Sequence, residues 1–307
     1  LAGTAFLFPG QGSQSVGMDG HLREPSGGLL DSLDELSGVE GLERILREGP
    51  EEQLTRTDRV QPAITAVSLA ALRVLAAAGI RPSAAAGHSL GEYSALVCAG
   101  VISEESALRL TARRGSLMQA CADRRPGGMT ALIGASADQA AEIVAAAGSA
   151  GLIGIANINS EGQVVLSGES AALEKASLAA KEMGIRKVIP LKVSGAWHSP
   201  LMGDAATSMK PVLDAEPFAD PSIPVVANVT ASPVSSGAES RELLGRQITS
   251  PVLWALSMKR LVDMGIDTFV EVGPGAVLQG LLRSYGGLRV FGTGNAEALE
   301  TVLRDLS

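Results

Sequence analysis

Residues 87 to 91, Gly-His-Ser-Leu-Gly, form a G-x-S-x-G pentapeptide. In that motif a sharp strand-to-helix turn exposes the serine, the glycines remove side chains that would collide, and the following amide points at a developing oxyanion. So short a pattern also arises by chance, and a serine ahead of a helix is an ordinary N-cap. Context favours chemistry: a small-residue run precedes the motif, helix formers follow it, and no second match occurs in the 307 residues. Ser89 is the candidate nucleophile.

An attacking hydroxyl needs a general base, most often histidine, and the chain holds three. His21 lies in a polar stretch near the start, and His88 adjoins Ser89 on a tight turn that would aim its ring away from the hydroxyl. His198, in VSGAWHSPLM, is left as the base, although a loop histidine packed beside Trp197 would read the same way. A third group should orient the imidazole, usually an acid that follows the serine in sequence. Asp204 is near but falls on the helix expected after His198, pointing elsewhere. A backbone carbonyl or a side-chain amide remains as the orienting group.

The elements that must position these groups follow from periodicity and punctuation. TAFLF (4–8) is a buried-strand pattern stopped by Pro9, and PGQGSQ then makes a glycine-rich loop. Residues 29–48 read as helical or loop segments with an acidic surface. Residues 61–79 form a long apolar helix ended by Gly79, PSAAAG a short strand, and LGEYSALVCAG a helix closed by Gly100. Ser103, Glu104 and Glu105 open the next helix, which runs to about Ala122. From Gly127 the order is strand, helix, strand, strand, helix, strand: MTALIGA, 137–147, IGIANIN, GQVVLSG, 169–183 and KVIPLKV. That is the ferredoxin-like order, read as an insertion of residues 127–196 into a larger unit made of 1–126 and 197–307. The larger unit resumes with SIPVVANVT, a helix from about 239, DTFVEVGPG and a final helix.

Composition bounds the function classes. With 46% apolar residues, 36 glycines, few aromatics and only 19% charged residues, the chain suits helices packed on a parallel sheet. A net charge of -8 and the lack of any Lys/Arg block exclude the counterion-releasing surface of a nucleic-acid binder. Cys98 and Cys121 sit in apolar helical stretches without metal-ligand spacing, which reads as buried free thiols rather than a zinc site. No signal-peptide pattern precedes AFLFPGQG, and the stretch 143–156 is broken by glycines and too short to span a bilayer. A reducing cytoplasm is expected. GQGSQ lacks both the P-loop lysine and the full dinucleotide fingerprint, which argues against a nucleotide-binding module.

FPGQGSQ, GHSLGEYSALVCAG, GAWHSPLM, and QITSPVLW with EVGPGAVLQGL occur in this order along nearly the whole chain, and together they resemble the malonyl-CoA:acyl-carrier-protein transacylases. The resemblance implies an α/β fold: an α/β-hydrolase-like core with a parallel sheet plus an inserted ferredoxin-like α+β subdomain. It implies Ser89 as nucleophile and His198 as base, with the imidazole oriented by the main-chain carbonyl of Gln247 in place of an acid. The oxyanion hole is then similar to the main-chain amides of Gln11 and Leu90, a pair that needs no formal charge. Arg114, in ARRGSLMQA, matches the family's malonate-binding arginine, whose planar fork pairs with a free carboxylate that an acetyl group lacks. Arg113 lies about 100° around the same helix, so only one of the two faces the site. Asn159 matches a polar position near the cleft.

The implied reaction is a ping-pong transfer of malonyl from malonyl-CoA to the phosphopantetheine thiol of acyl carrier protein for fatty-acid synthesis, with no metal or redox cofactor. Leu90 and GAWH resemble the malonyl-selective forms, though Trp197 stands where such motifs often carry Phe or Ser. Alternatives are a trans-acting malonyl transferase of a polyketide pathway, a serine esterase or thioesterase, and a nonenzymatic carrier-binding scaffold. The chain is expected to act as a monomer. Arg186, Lys187 and Lys192 are candidates for docking an acidic carrier that the net charge would otherwise repel.

Overall fold

The computed structural model describes residues 3–283 and 285–307. In chain order its strands are β1 (Gly3–Phe8), β2 (Ala84–Gly87), β3 (Gly128–Ile133), β4 (Ile153–Ser160), β5 (Gln163–Gly168), β6 (Lys187–Pro190), β7 (Val225–Val226), β8 (Ile266–Glu271) and β9 (Arg289–Gly292). They form two sheets: a parallel one of order β7-β2-β1-β8-β9 and an antiparallel one of order β4-β5-β3-β6.

Alternation along β1 explains how the parallel sheet is covered. Phe6 and Phe8 point to one side, into a core with Val60, Ile64, Val67 and Leu108 from the helices Thr57–Ala77 and Glu104–Arg124. Ala5 and Leu7 point to the other, against Trp254, Met258 and Leu261 of the helix Trp254–Asp263 and Leu278 of the helix Val277–Leu282. Burial on both faces is why β1 and β2 read as continuous apolar runs without polar alternation. Phe8 pairs with Gly87, so the strands end level and their following loops emerge side by side. In open α/β sheets ligands bind at such carboxyl ends, where strand order switches direction.

The antiparallel sheet carries the helices Ala137–Ala147 and Ser170–Glu182 on one face, packed through Leu132, Val164 and Leu166. Its other face, with Met129, Ala131 and Val165, joins the core that also holds Phe6 and Phe8 of the parallel sheet. A second link comes from the edge of β4: Ile158 N–H donates to Val252 O at 2.9 Å, and Val252 N–H to Ala156 O at 2.8 Å. Asn157 and Asn159, two apart on β4, are thereby held beside the parallel sheet.

Several segments depart from the sequence expectation. SIPVVANVT keeps only two paired residues, because past β7 the chain folds back through Ala231 N–H to Ala227 O. KVIPLKV stops pairing at Pro190. The helix Trp254–Asp263 and the strand β9 were not anticipated, and the C-terminal region holds two helices, Val277–Leu282 and Ala296–Leu306, around β9. The apolar helix begins at Thr57, not Gln61, and its length and hydropathy would suffice to cross a membrane; it is instead mostly buried as the central core helix. Both cysteines are free, but Cys98 is only half-buried while Cys121 is buried.

Candidate active site

The pentapeptide forms the turn between β2 and the helix Gly91–Cys98. A Cβ at Gly87 would run into the backbone of Gly91, and one at Gly91 into the carbonyl of Phe8, so both positions exclude a side chain. Between them Ser89 takes φ 51°, a left-handed conformation that non-glycine residues rarely adopt. Leu90, not Ser89, is the residue preceding the helix, and Ser89 makes no cap bond.

The Ser89 hydroxyl lies 2.7 Å from His198 Nε2. The other ring nitrogen, Nδ1, donates to Gln247 O at 2.9 Å and also reaches Ser250 O at 3.1 Å. Two carbonyls can only accept, so they hold the proton on Nδ1 and leave Nε2 as the acceptor for Ser89. His198 is buried, and burial together with the nearby Arg114 charge pushes its pKa down to about 3. The imidazole is therefore neutral at neutral pH, with Nε2 unprotonated and able to accept the Ser89 proton. His88 turns elsewhere, with Nε2 2.9 Å from Asn159 Oδ1 and its ring tilted against Trp254. His21 contacts Thr293 O and lies outside the cavity.

Arg114 enters from the helix Glu104–Arg124 and is 1% exposed, whereas Arg113 beside it is exposed. Its guanidinium donates to Gln61 Oε1 at 2.9 Å, Gln247 Oε1 at 2.9 Å and Ser89 Oγ at 3.2 Å. All three are neutral acceptors. Burial lowers its pKa from the ordinary arginine value, and Glu92 and Tyr93 oppose that shift. A buried guanidinium surrounded by neutral oxygens is poised for an anionic ligand.

Ser89, His198 and Arg114 open onto a cavity of ≈ 240 Å³ whose wall includes Gln11, Leu90, Asn159 and Trp197. Of the candidate site residues, Gln11, Ser89, Leu90, Arg114, Asn159 and His198 thus converge here, while Gln247 lies behind His198 and contacts it through its carbonyl. Gln11 and Leu90 enter from the two loops at the ends of β1 and β2, and neither amide donates to a protein acceptor among the described residues. The inner face of the antiparallel sheet closes the opposite wall with Met129, Ala131 and Val165.

Four residues escaped the sequence reading. Gln61 and Ser250 supply acceptors to Arg114 and His198. Asn228 accepts from Ser89 N–H through Oδ1 at 2.6 Å, and Glu92 accepts from Gln247 Nε2 at 2.7 Å. Glu92 had one usable signal: it stands three residues past Ser89 at a helix start, on a buried face. For Asn228, reached across 139 residues, the sequence offers none.

Residues 5–289 match the model of the acyl transferase domain family. The malonyl CoA-acyl carrier protein transacylase of Bacillus subtilis is 40% identical, the match covering 98% of this chain and 96% of that one. The Escherichia coli K12 protein of the same name is 39% identical over 96% and 95%. The crystal structure of malonyl-CoA:acyl carrier protein transacylase from Xanthomonas oryzae superposes with a TM-score of 0.95 at 38% identity, covering 100% of this chain and 99% of that one. A malonyl-transacylase in complex with a type II polyketide acyl-carrier protein gives 0.94 at 37%, covering 99% and 100%. With its hydroxyl, imidazole and guanidinium gathered in one cavity and this likeness running end to end, the chain belongs to the malonyl-CoA:acyl-carrier-protein transacylases of the acyl transferase family.

Proposed function

We propose that the chain moves malonyl from malonyl-CoA to the phosphopantetheine thiol of acyl carrier protein through a malonyl-Ser89 ester, supplying extender units for fatty-acid synthesis. The observation that carries this is the meeting of two groups at one oxygen: His198 Nε2 at 2.7 Å and Arg114 at 3.2 Å from Ser89 Oγ. Arg114 pairs with the free carboxylate of malonyl, which sets the thioester carbon beside the hydroxyl. His198 takes the Ser89 proton as Oγ attacks; the amides of Gln11 and Leu90 hold the oxyanion; the coenzyme A thiolate leaves and is protonated by His198. The carrier thiol then gives its proton to His198 and attacks the ester, and Ser89 is restored. Gln247 O keeps the imidazole in register, and Asn159 lines the pantetheine side of the cavity. The steps as written call on no metal or redox cofactor, the pantetheine being carried by the partner.

The cleft lies between a core of residues 1–126 and 197–307 and an inserted unit of 127–196, a division supported by the segregation of the strands into two sheets. Arg186, Lys187 and Lys192 are exposed on the inserted unit and are the residues we assign to the acidic carrier. Unpaired thiols at Cys98 and Cys121 suit a reducing cytoplasm.

Mixing the protein with malonyl-CoA and following intact mass tests the reading. A single malonyl adduct should form within seconds and be discharged by holo acyl carrier protein. Rapid steady-state release of free malonate without carrier would mark a thioesterase instead. Since a polyketide carrier complex is among the similar structures, fatty-acid and polyketide carriers should be compared; exclusive discharge by the latter would reassign the pathway.

A further inference from the structure

Ser89, His198 and Arg114 all reach one buried carboxyl through a single intermediary each. Glu92, 2% exposed, lies in the first turn of the helix that follows Ser89. Its Oε2 accepts from Gln247 Nε2 at 2.7 Å and from Asn228 N–H at 3.1 Å. Gln247 in turn accepts from Arg114 through Oε1 at 2.9 Å, accepts from His198 Nδ1 through its main-chain oxygen at 2.9 Å, and donates through Nε2 to Ser89 O at 2.9 Å. Asn228 takes the Ser89 N–H on Oδ1 at 2.6 Å and donates through Nδ2 to Gly87 O at 2.6 Å.

Both peptide groups of Ser89 are thus gripped from outside the turn, the N–H by Asn228 and the C=O by Gln247. A left-handed serine persists only where its surroundings over-determine it, and here both gripping residues meet at Glu92. We propose that Glu92 is a positioning residue for acyl transfer: its Oε2 locks the Gln247 side chain and the Asn228 backbone so that hydroxyl, imidazole and guanidinium converge. This rests on the malonyl-transfer reading above. Because both donors arrive at one oxygen, the role needs an acceptor atom and not a charge. Glu92→Gln supplies that atom, and Glu92→Ala does not. Arg114 keeps Gln61 as a second partner, so loss of Glu92 acts on the rate of acylation more than on binding.

The test is single-turnover formation of the malonyl-enzyme over a range of malonyl-CoA concentrations, with rates normalised to the folded fraction. Glu92→Ala and Asn228→Ala should each lower the limiting acylation rate by about tenfold or more, since small misplacements of reacting groups cost that much. The half-saturating malonyl-CoA concentration should change less than about threefold, and Glu92→Gln should stay within about threefold of the native rate. Native-like acylation by folded Glu92→Ala and Asn228→Ala overturns the assignment, as does a Glu92→Gln variant as slow as Glu92→Ala. Should Glu92→Ala fail to fold, Glu92→Asp, which withdraws the acceptor by one methylene, replaces it in both comparisons. Failure of the native chain to form any malonyl-enzyme would instead strike the malonyl reading itself.

Discussion

Ser89 and His198, 109 residues apart, meet at 2.7 Å, and both hold left-handed backbone conformations, with φ 51° and 58°. Each therefore projects its side chain from a sharp turn and not from a helix or strand. The two turns belong to different loops at the rim of the parallel sheet, one after β2 and one after the antiparallel unit rejoins the chain.

Removing either member should stop the chemistry at a defined step. Ser89→Ala should give no malonyl adduct by intact mass, and label on another residue would displace Ser89 as nucleophile. His198→Ala should retain the hydroxyl but acylate about 10²- to 10⁴-fold more slowly, the usual contribution of a positioned base.

Arg114→Ala should cost malonyl transfer about 10- to 100-fold in kcat/KM, the worth of one charge-assisted pairing. Acetyl transfer has no carboxylate to lose and should change little. Equal losses for both acyl groups, measured by competition between the two thioesters, would remove Arg114 from selection. Arg114→Lys keeps the charge without the fork and should recover only part of the loss.

Burial and Arg114 hold His198 down at about 3, so acylation should show no acid limb near 6.5, the ordinary histidine value. Arg114→Ala removes one of the two main depressing causes and should move the acid limb upward. A limb that stays in place between the two proteins would contradict this electrostatic coupling.

The same shifts make opposite demands on stability. His198 is depressed in the folded state, so the unfolded chain binds a proton there that the folded one refuses, and stability falls as pH drops from 6.5 toward about 3. Burial raises Glu92 from 4.5 to about 7, so its stabilising effect is complete below 4.5 and is lost as pH rises through about 7. Glu92→Gln should flatten the melting-temperature profile between pH 4.5 and about 7, and His198→Ala between pH 6.5 and about 3.

Gly91→Ala would press a methyl group into the Phe8 carbonyl, which is backbone in the central strand and cannot yield cheaply. A cost of about 1–3 kcal/mol is expected. Because Phe8 leads directly to Gly10 and Gln11, activity should fall further than the melting temperature indicates; a destabilised but fully active protein would show that the loop does not transmit the shift.

The parallel sheet and its helices were legible because burial on both faces leaves continuous apolar runs, and the strands and helices of the antiparallel sheet were legible because alternating strands and capped helices recur in a known order. Ser89 announced itself through flanking glycines that backbone contact requires, and His198 through the scarcity of histidine. Short segments were not legible: β7 pairs through two residues and β9 through four, and such runs carry too little periodicity to stand out.

Sequence alone determined which groups are available for the proposed chemistry, since nucleophile, base and carboxylate-binding cation must have particular side chains, and the family motifs carry them in order. Only the tertiary structure decided how they are held. Glu92, Asn228 and Gln61 act through hydrogen bonds that depend on ångström distances between segments far apart in the chain. A buried acid one turn beyond the nucleophile is indistinguishable in sequence from a solvated helix residue until the fold closes over it.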